Sequence, residues 1–209
     1  MAFSGIPEVA FDFYDDLETD NSRSFFEAHR STYEESVRRP VQELCALLAE
    51  EFGEAKLFRP HRDVRFSKDK SPYKTHQGAY VATGPATGWY LEVSAAGVRV
   101  GAGFYDAEPA RLAAIRAAVA DERSGPALRR VLTTLEKRGF EVGGDRLKTS
   151  PRGYPADHPR ISLLRHKTLA VSHVLGFGAD VTSPALADLV RADWRACRPL
   201  LTWLERATA

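Results

Sequence analysis

The sequence predicts an α+β protein in which an antiparallel sheet carries helices packed on one face, with long helices at the amino and carboxy ends. Three observations lead there. Apolar residues recur at helical spacing at both ends of the chain. Period-2 alternation fills much of the middle. The loops between most of those alternating segments are short, and short loops join antiparallel strands. The 209 residues, 44% of them hydrophobic, suffice for one core, and no linker interrupts them, so the expectation is a single domain over residues 1–209.

In chain order, Pro7 to Leu17 reads as a short helix with Val9, Phe13 and Leu17 at helical spacing. Asn21 or Ser22 caps a much longer helix whose stripe runs Phe26, Tyr33, Val37, Val41, Leu44, Leu48, Phe52. Pro40 kinks it and Gly53 ends it. Phe58 to Ser67 alternates as a strand: Phe58, Val64 and Phe66 share one face, and Arg59, His61, Asp63, Arg65 and Ser67 share the other. Arg62 sits on the apolar face and requires a carboxylate partner or a route past the sheet edge. Lys68 to Lys74 then reads as a turn, with Asp69 and Ser71 bonding local amides and Pro72 presetting φ.

Gly78 to Thr83 predicts the next strand, residues 84–88 a loop, and Trp89–Ser94 with Val98–Phe104 a hairpin across Ala95-Ala96-Gly97. Gly101 and Gly103 lie on one face of that hairpin, where the missing side chains leave room for close approach. Glu108–Asp121 and Gly125–Arg138 are amphipathic helices. A polar passage containing Lys148, Arg152, Tyr154, Asp157 and His158 comes next, ending in a helical turn at Pro159–Leu164. Thr168 to Leu175 predicts a last strand. Ser183-Pro184 opens a final helix that Pro199 bends.

Charge is distributed unevenly. Residues 1–58 carry a net −8, residues 59–76 a net +4 and residues 77–209 a net +5, in a chain whose total is +1. A pI near 7.8 argues against a dedicated duplex-DNA binder. No membrane-length apolar run or signal-peptide pattern is read, so no membrane role and a cytoplasmic location are expected. Cys45 and Cys197 lie in apolar helical patterns without redox or zinc spacing and read as packing residues.

The concentrated positive stretch is the candidate site. Arg59, Arg62 and Arg65 offer forked donors for phosphate or carboxylate, and Lys68, Lys70 and Lys74 add mobile charges. Asp63, Ser67 and Tyr73 complete the set. Tyr90, Arg99, Lys148 and Lys167 are possible further walls. The competing reading pairs Asp63 with Arg62 or Arg65, lets Asp69 cap its own turn, and leaves the lysines as solvated charges that guard a strand edge. A catalytic reading makes His61 or His76 a general base oriented by Asp63, but no nucleophile–base–orienter triad is visible, so enzymatic activity stays open.

Metal binding by His61, Asp63 and His76 with Asp157 or His158 lacks compact spacing and is opposed by the surrounding cations, so no metal is expected. No Walker or dinucleotide-type glycine loop is present, so no cofactor is expected. His29, His166 and His173 read as packing residues. Basic and aromatic residues interleave as in single-strand binders, yet the acidic first quarter disfavours a long polyanion. The ligand expected is a small phosphate-bearing anion such as a nucleotide or sugar phosphate. An acidic protein partner is a further reading, and the oligomeric state is not readable.

Asn21-x-Arg23-x-Phe25-Phe26, the block from Arg62 to His76 (RDxRFSKDKxPYKTH), Leu147-Lys148 and Asp157-His158-Pro159 together resemble the DUF2461 family of conserved hypothetical proteins. The resemblance spans about Phe11 to Leu204. It implies a single cytoplasmic α+β domain with a shared site around the central block, and it supplies no activity.

Overall fold

The structure, a computed structural model, describes residues 3–65 and 68–209. Six strands form one antiparallel sheet in the order β1-β2-β3-β4-β6-β5: β1 Ala55–Leu57, β2 His76–Gly84, β3 Thr87–Ser94, β4 Gly97–Phe104, β5 Glu141–Gly143 and β6 Leu169–Gly176. With helices at both ends of the chain, the protein is α+β. The chain divides into two compact units. One holds the residues up to Val81 with Tyr90–Val100 and Val174–Ala192; the other holds Ala82–Trp89, Gly101–His173 and Asp193–Ala209.

In the first unit, α1 (Glu8–Thr19) buries Ala10, Phe11, Phe13, Tyr14 and Leu17, a stripe one helical face wide. The predicted long second helix is real in extent but broken. α2 (Arg23–Ala28) starts where the Ser22 hydroxyl accepts the Phe25 N–H at 3.2 Å, and it stops at His29, whose φ of −108° and ψ of 16° leave the helical basin. One short turn, α3 (Arg30–Thr32), leads into a π-helical segment, Tyr33–Arg38, and only then into α4 (Arg39–Phe52). The irregularity therefore precedes Pro40. A π turn widens the helix by a residue and rotates the turns after it, and here Tyr33 and Val37 are its buried members. Gly53 ends α4 at φ 100°, a backbone region that favours glycine.

The predicted strand from Phe58 to Ser67 is the main correction. Regular pairing of β1 ends at Leu57, opposite Ala79. Among the described residues beyond it, the chain is irregular up to β2, with an isolated bridge at His61–Tyr73. Phe66 and Ser67, both assigned to that strand, lie outside the described residues. Prolines at 60 and 72 explain the loss of register, because neither can donate to a ladder.

The second unit holds α5 (Pro109–Ala120), α6 (Ser124–Glu136), α7 (Ile161–Leu164) and most of the 23-residue α8 (Leu186–Thr208), together with β5 and the adjoining strand segments. Arg160 lies buried and serves the end of α5, donating to the Val119 and Ala120 carbonyls at 2.7 Å each and to Glu122 at 2.8 Å. The close approach expected beside Gly101 and Gly103 comes from the backbone of β6. A Cβ at Gly103 would stand 2.2 Å from the Leu169 carbonyl oxygen. Strand β5 was not predicted: its three residues sit in the polar passage and carry no alternation long enough to read.

Candidate functional site

The charged block occupies an excursion between β1 and β2, and its root is held rigidly. Tyr73 and His61 face each other, with Arg62 N–H donating to the Pro72 carbonyl at 2.9 Å and Lys74 N–H to the Pro60 carbonyl at 2.8 Å. Asn21 then treats Tyr73 as a strand neighbour. Its side-chain amide donates to the Tyr73 carbonyl at 3.1 Å and accepts the Tyr73 N–H at 3.0 Å, so one residue satisfies both backbone groups. The Tyr73 ring stacks on Phe26 at 4.0 Å and 8°, and both are 2% exposed.

Below them the Tyr33 hydroxyl donates to Gln77 Oε1 at 2.6 Å, and Gln77 Nε2 donates to the carbonyls of Phe58 and Gly78 at 3.0 and 2.8 Å. Burial pushes the Tyr33 phenol up to about 12, so it remains a donor throughout the ordinary pH range.

Beyond the bridge, most of the charges answer one another. Arg65 clasps Asp63 through Nε and NH2 at 2.7 to 3.2 Å, and these bonds hold the Asp63 carboxyl below its usual range. Asp69 accepts from the Ser71 N–H at 2.9 Å and hydroxyl at 2.7 Å and pairs with Arg62; the Ser71 bonds first, and then Arg62, pull its pKa to about 2. Arg62 thus has a carboxylate partner, on a partly exposed loop rather than on the buried strand face expected for it. Lys70 Nζ donates to the Val64 carbonyl at 2.9 Å. Lys74 Nζ donates to the Arg59 carbonyl at 3.0 Å and lies 5.2 Å over the Phe58 ring. Among the described residues, no carboxylate pairs with Arg59, Lys68, Lys70 or Lys74.

The excursion returns along the half-open face of the sheet. A Cβ at Gly78 would meet Phe58 Cδ2 at 2.9 Å and the Tyr90 hydroxyl at 3.0 Å, so glycine is what lets these aromatics close over β2. Beside them, His76 of β2, Tyr90 and Glu92 of β3 and Arg99 of β4 form a polar group. Tyr90 OH donates to Glu92 Oε2 at 2.7 Å, Glu92 Oε1 lies 4.0 Å from Arg99, and Glu92 Oε2 lies 3.9 Å from His76 Nε2. Desolvation lowers the His76 pKa first. Glu92 pulls it back up, while Lys74, Arg99 and Arg62 push it further down. Lys74 is depressed by burial and by Arg59.

Of the residues proposed from sequence, Lys74 rests on the Arg59 carbonyl and the Phe58 ring, His76 shares Glu92 with Tyr90 and Arg99, and Arg62 pairs with Asp69 while its charge reaches His76. Asp63, Arg65, Lys68 and Lys70 stand out toward solvent; Ser67 lies outside the described residues. No hydrogen bond joins His61 to Asp63 among the described residues, and both Asp63 oxygens are engaged by Arg65. Lys148 and Lys167 belong to the second unit, where Lys167 approaches Asp145 at 3.7 Å. No group of three His, Cys, Asp or Glu side chains is placed to hold a metal among the described residues. No helix among them is long and apolar enough to cross a membrane.

Sequence reasoning missed Glu92 and Gln77 as site members. Glu92 was visible only as an outward residue of β3, and Gln77 lay between two segments with no pattern to mark it.

Fold and site define an α+β protein with a charged hairpin excursion rooted in aromatic packing beside an open sheet face. The model of the family described as conserved hypothetical protein (DUF2461) matches residues 9–203, and the chain belongs to that family. Neither the curated proteins nor the solved structures compared with the chain include a match.

Proposed function

We propose that this protein binds a small phosphate-bearing anion where the excursion meets the sheet, at Arg59, Arg62, Lys74, His76 and Arg99, with Lys68 and Lys70 drawing the anion in from the loop. One observation carries the reading. Lys74 is held by a backbone carbonyl and an aromatic face rather than by a carboxylate, and the positive charges of Arg59, Arg62 and Arg99 act on it or on its neighbour His76. Gathering cations this way costs electrostatic energy in the empty protein, and an anion at the centre relieves it. Arginine forks suit the oxygens of a phosphate, and the fixed root keeps the donors in place before the ligand arrives.

Tyr90 and Phe58 border the site with aromatic faces, which suits a nucleotide or sugar phosphate better than inorganic phosphate alone.

The test is a thermal-shift screen against phosphate, sugar phosphates, mononucleotides, short single-stranded oligonucleotides and divalent metals, repeated on Lys68→Ala/Lys74→Ala. A binder at a hundredfold excess over its Kd adds about 2.7 kcal/mol of apparent stability. Stabilisation by one phosphate compound that disappears in the double variant supports the reading. Stabilisation by oligonucleotides alone moves the ligand to a polymer, and no response to any anion removes the site.

A further inference from the structure

We propose that the anion enters this site as a dianion together with one proton, which His76 takes up, so that the site selects phosphate monoesters over diesters. The inference rests on the anion-binding reading and adds the ligand class and its pH dependence.

It begins with the groups that face His76. From β3 come Glu92, with Oε2 at 3.9 Å from His76 Nε2, and Tyr90, whose hydroxyl is given to Glu92. From β4 comes Arg99, which shares Glu92 at 4.0 Å. From the excursion come Arg62 and Lys74, the first paired with Asp69 and the second joined by Arg59. With a neutral imidazole, these four cations and two carboxylates leave the cluster two charges positive. A monoanion leaves it still positive and His76 still neutral. A dianion neutralises it and sets its own charge against the desolvation and the repulsion that oppose a proton on the ring, while Glu92 remains to favour that proton.

Binding and protonation are therefore linked, each strengthening the other by the same factor. The neutral ring is also consistent with its burial in the empty protein. Near pH 7 a phosphate monoester is largely dianionic, with a second pKa of about 6, whereas a diester stays monoanionic. Only the monoester supplies both charges. On binding, the protonated ring becomes a further donor to a phosphate oxygen, at a distance from Glu92 that keeps the carboxylate from blocking it.

The experiment is isothermal titration calorimetry of methyl phosphate and dimethyl phosphate at pH 8, each in two buffers of different ionisation enthalpy. At that pH both free methyl phosphate and free His76 are deprotonated, so proton uptake from the buffer reports the ring. The expected result is uptake approaching one proton with methyl phosphate, an affinity that falls about tenfold per pH unit as the pH rises further, and dimethyl phosphate at least about tenfold weaker. His76→Gln, or His76→Asn if the first variant does not fold, retains weakened methyl phosphate binding but loses both the uptake and the pH slope. Tight methyl phosphate binding without proton uptake overturns the proposal and leaves the anion site standing, as does equal affinity for the diester. If neither compound binds, and the thermal-shift screen is silent as well, the anion site fails and this inference fails with it.

Discussion

The His61–Tyr73 bridge separates two kinds of chain. On the root side, the side chains that hold it come from far away in sequence: Asn21 reaches Tyr73 across 52 residues and Tyr33 reaches Gln77 across 44. Tyr33, Tyr73 and Gln77 are buried, and Asn21 is half-buried. On the tip side, among the described residues, the side-chain ties run between residues two to seven apart, Asp63 with Arg65, Arg62 with Asp69, Lys70 with the Val64 carbonyl, and the groups are largely exposed. Stability is therefore invested in placing the excursion, while the tip is shaped by local charge bonds that solvent screens. A loop anchored this way can exchange its internal partners for a ligand without unfolding its base.

The comparison breaks most visibly at Phe26. Truncating it to Ala removes the ring on which Tyr73 stacks and empties space next to Phe13 and Tyr33, and costs about 3 to 5 kcal/mol, measured as a shift in the urea midpoint at constant m-value. Asn21→Ala is expected to cost less, about 1 to 3 kcal/mol, because it leaves the Tyr73 N–H and carbonyl without their partner in a half-buried place. Amide exchange then separates its effects. Protection of the backbone around Tyr73 drops more than that of β3, since the root opens before the sheet does. A uniform loss across both would mean that the root has no local integrity of its own.

Asp63→Asn combined with Asp69→Asn sharpens the other half. The folded state keeps its urea midpoint within error, because exposed pairs contribute little, while protease cleavage between Arg62 and Pro72 accelerates. A clear fall in midpoint would place the tip among the elements that hold the fold.

Both halves left traces in the sequence, of different quality. The core faces of β3 and β4 were readable because Trp89, Leu91, Val93 and Val98, Val100, Ala102, Phe104 alternate cleanly, and all seven are buried. The Asp69 turn and the Asp63–Arg65 pair were readable because such bonds are local. The strand assigned to Phe58–Ser67 failed for a physical reason. Alternation reports two faces, but pairing also needs free N–H donors in register, and Pro60 and Pro72 remove them on both sides of the excursion. The π turn at Tyr33–Arg38 left no mark, since its residues suit an α-helix equally well. Of the two cap candidates, Ser22 does the capping, and Asn21 holds Tyr73.

A further expected effect is a dependence of stability on pH that originates at the edge of the site. The folded-state pKa of His76 lies below the ordinary 6.5, chiefly because the ring is desolvated; Glu92 opposes the shift, and Lys74, Arg99 and Arg62 add to it. His166 in the second unit is lowered as well, chiefly by burial, with its Nδ1 held 2.8 Å from the Thr168 carbonyl. Between each folded-state value and about 6.5 the unfolded chain binds more protons than the folded one, so stability rises with pH through that window. The contribution is fully present above about pH 6.5 and is lost as the pH falls through the window. Urea midpoints measured from pH 5 to 8 in the absence of phosphate should thus decline below 6.5, and His76→Gln should make the decline shallower without abolishing it, His166 accounting for the remainder. A midpoint that held steady or rose on acidification in the wild-type protein would mean that the imidazole is already stabilised as a cation by Glu92. In that case the cluster is not positive enough to draw a proton along with its anion.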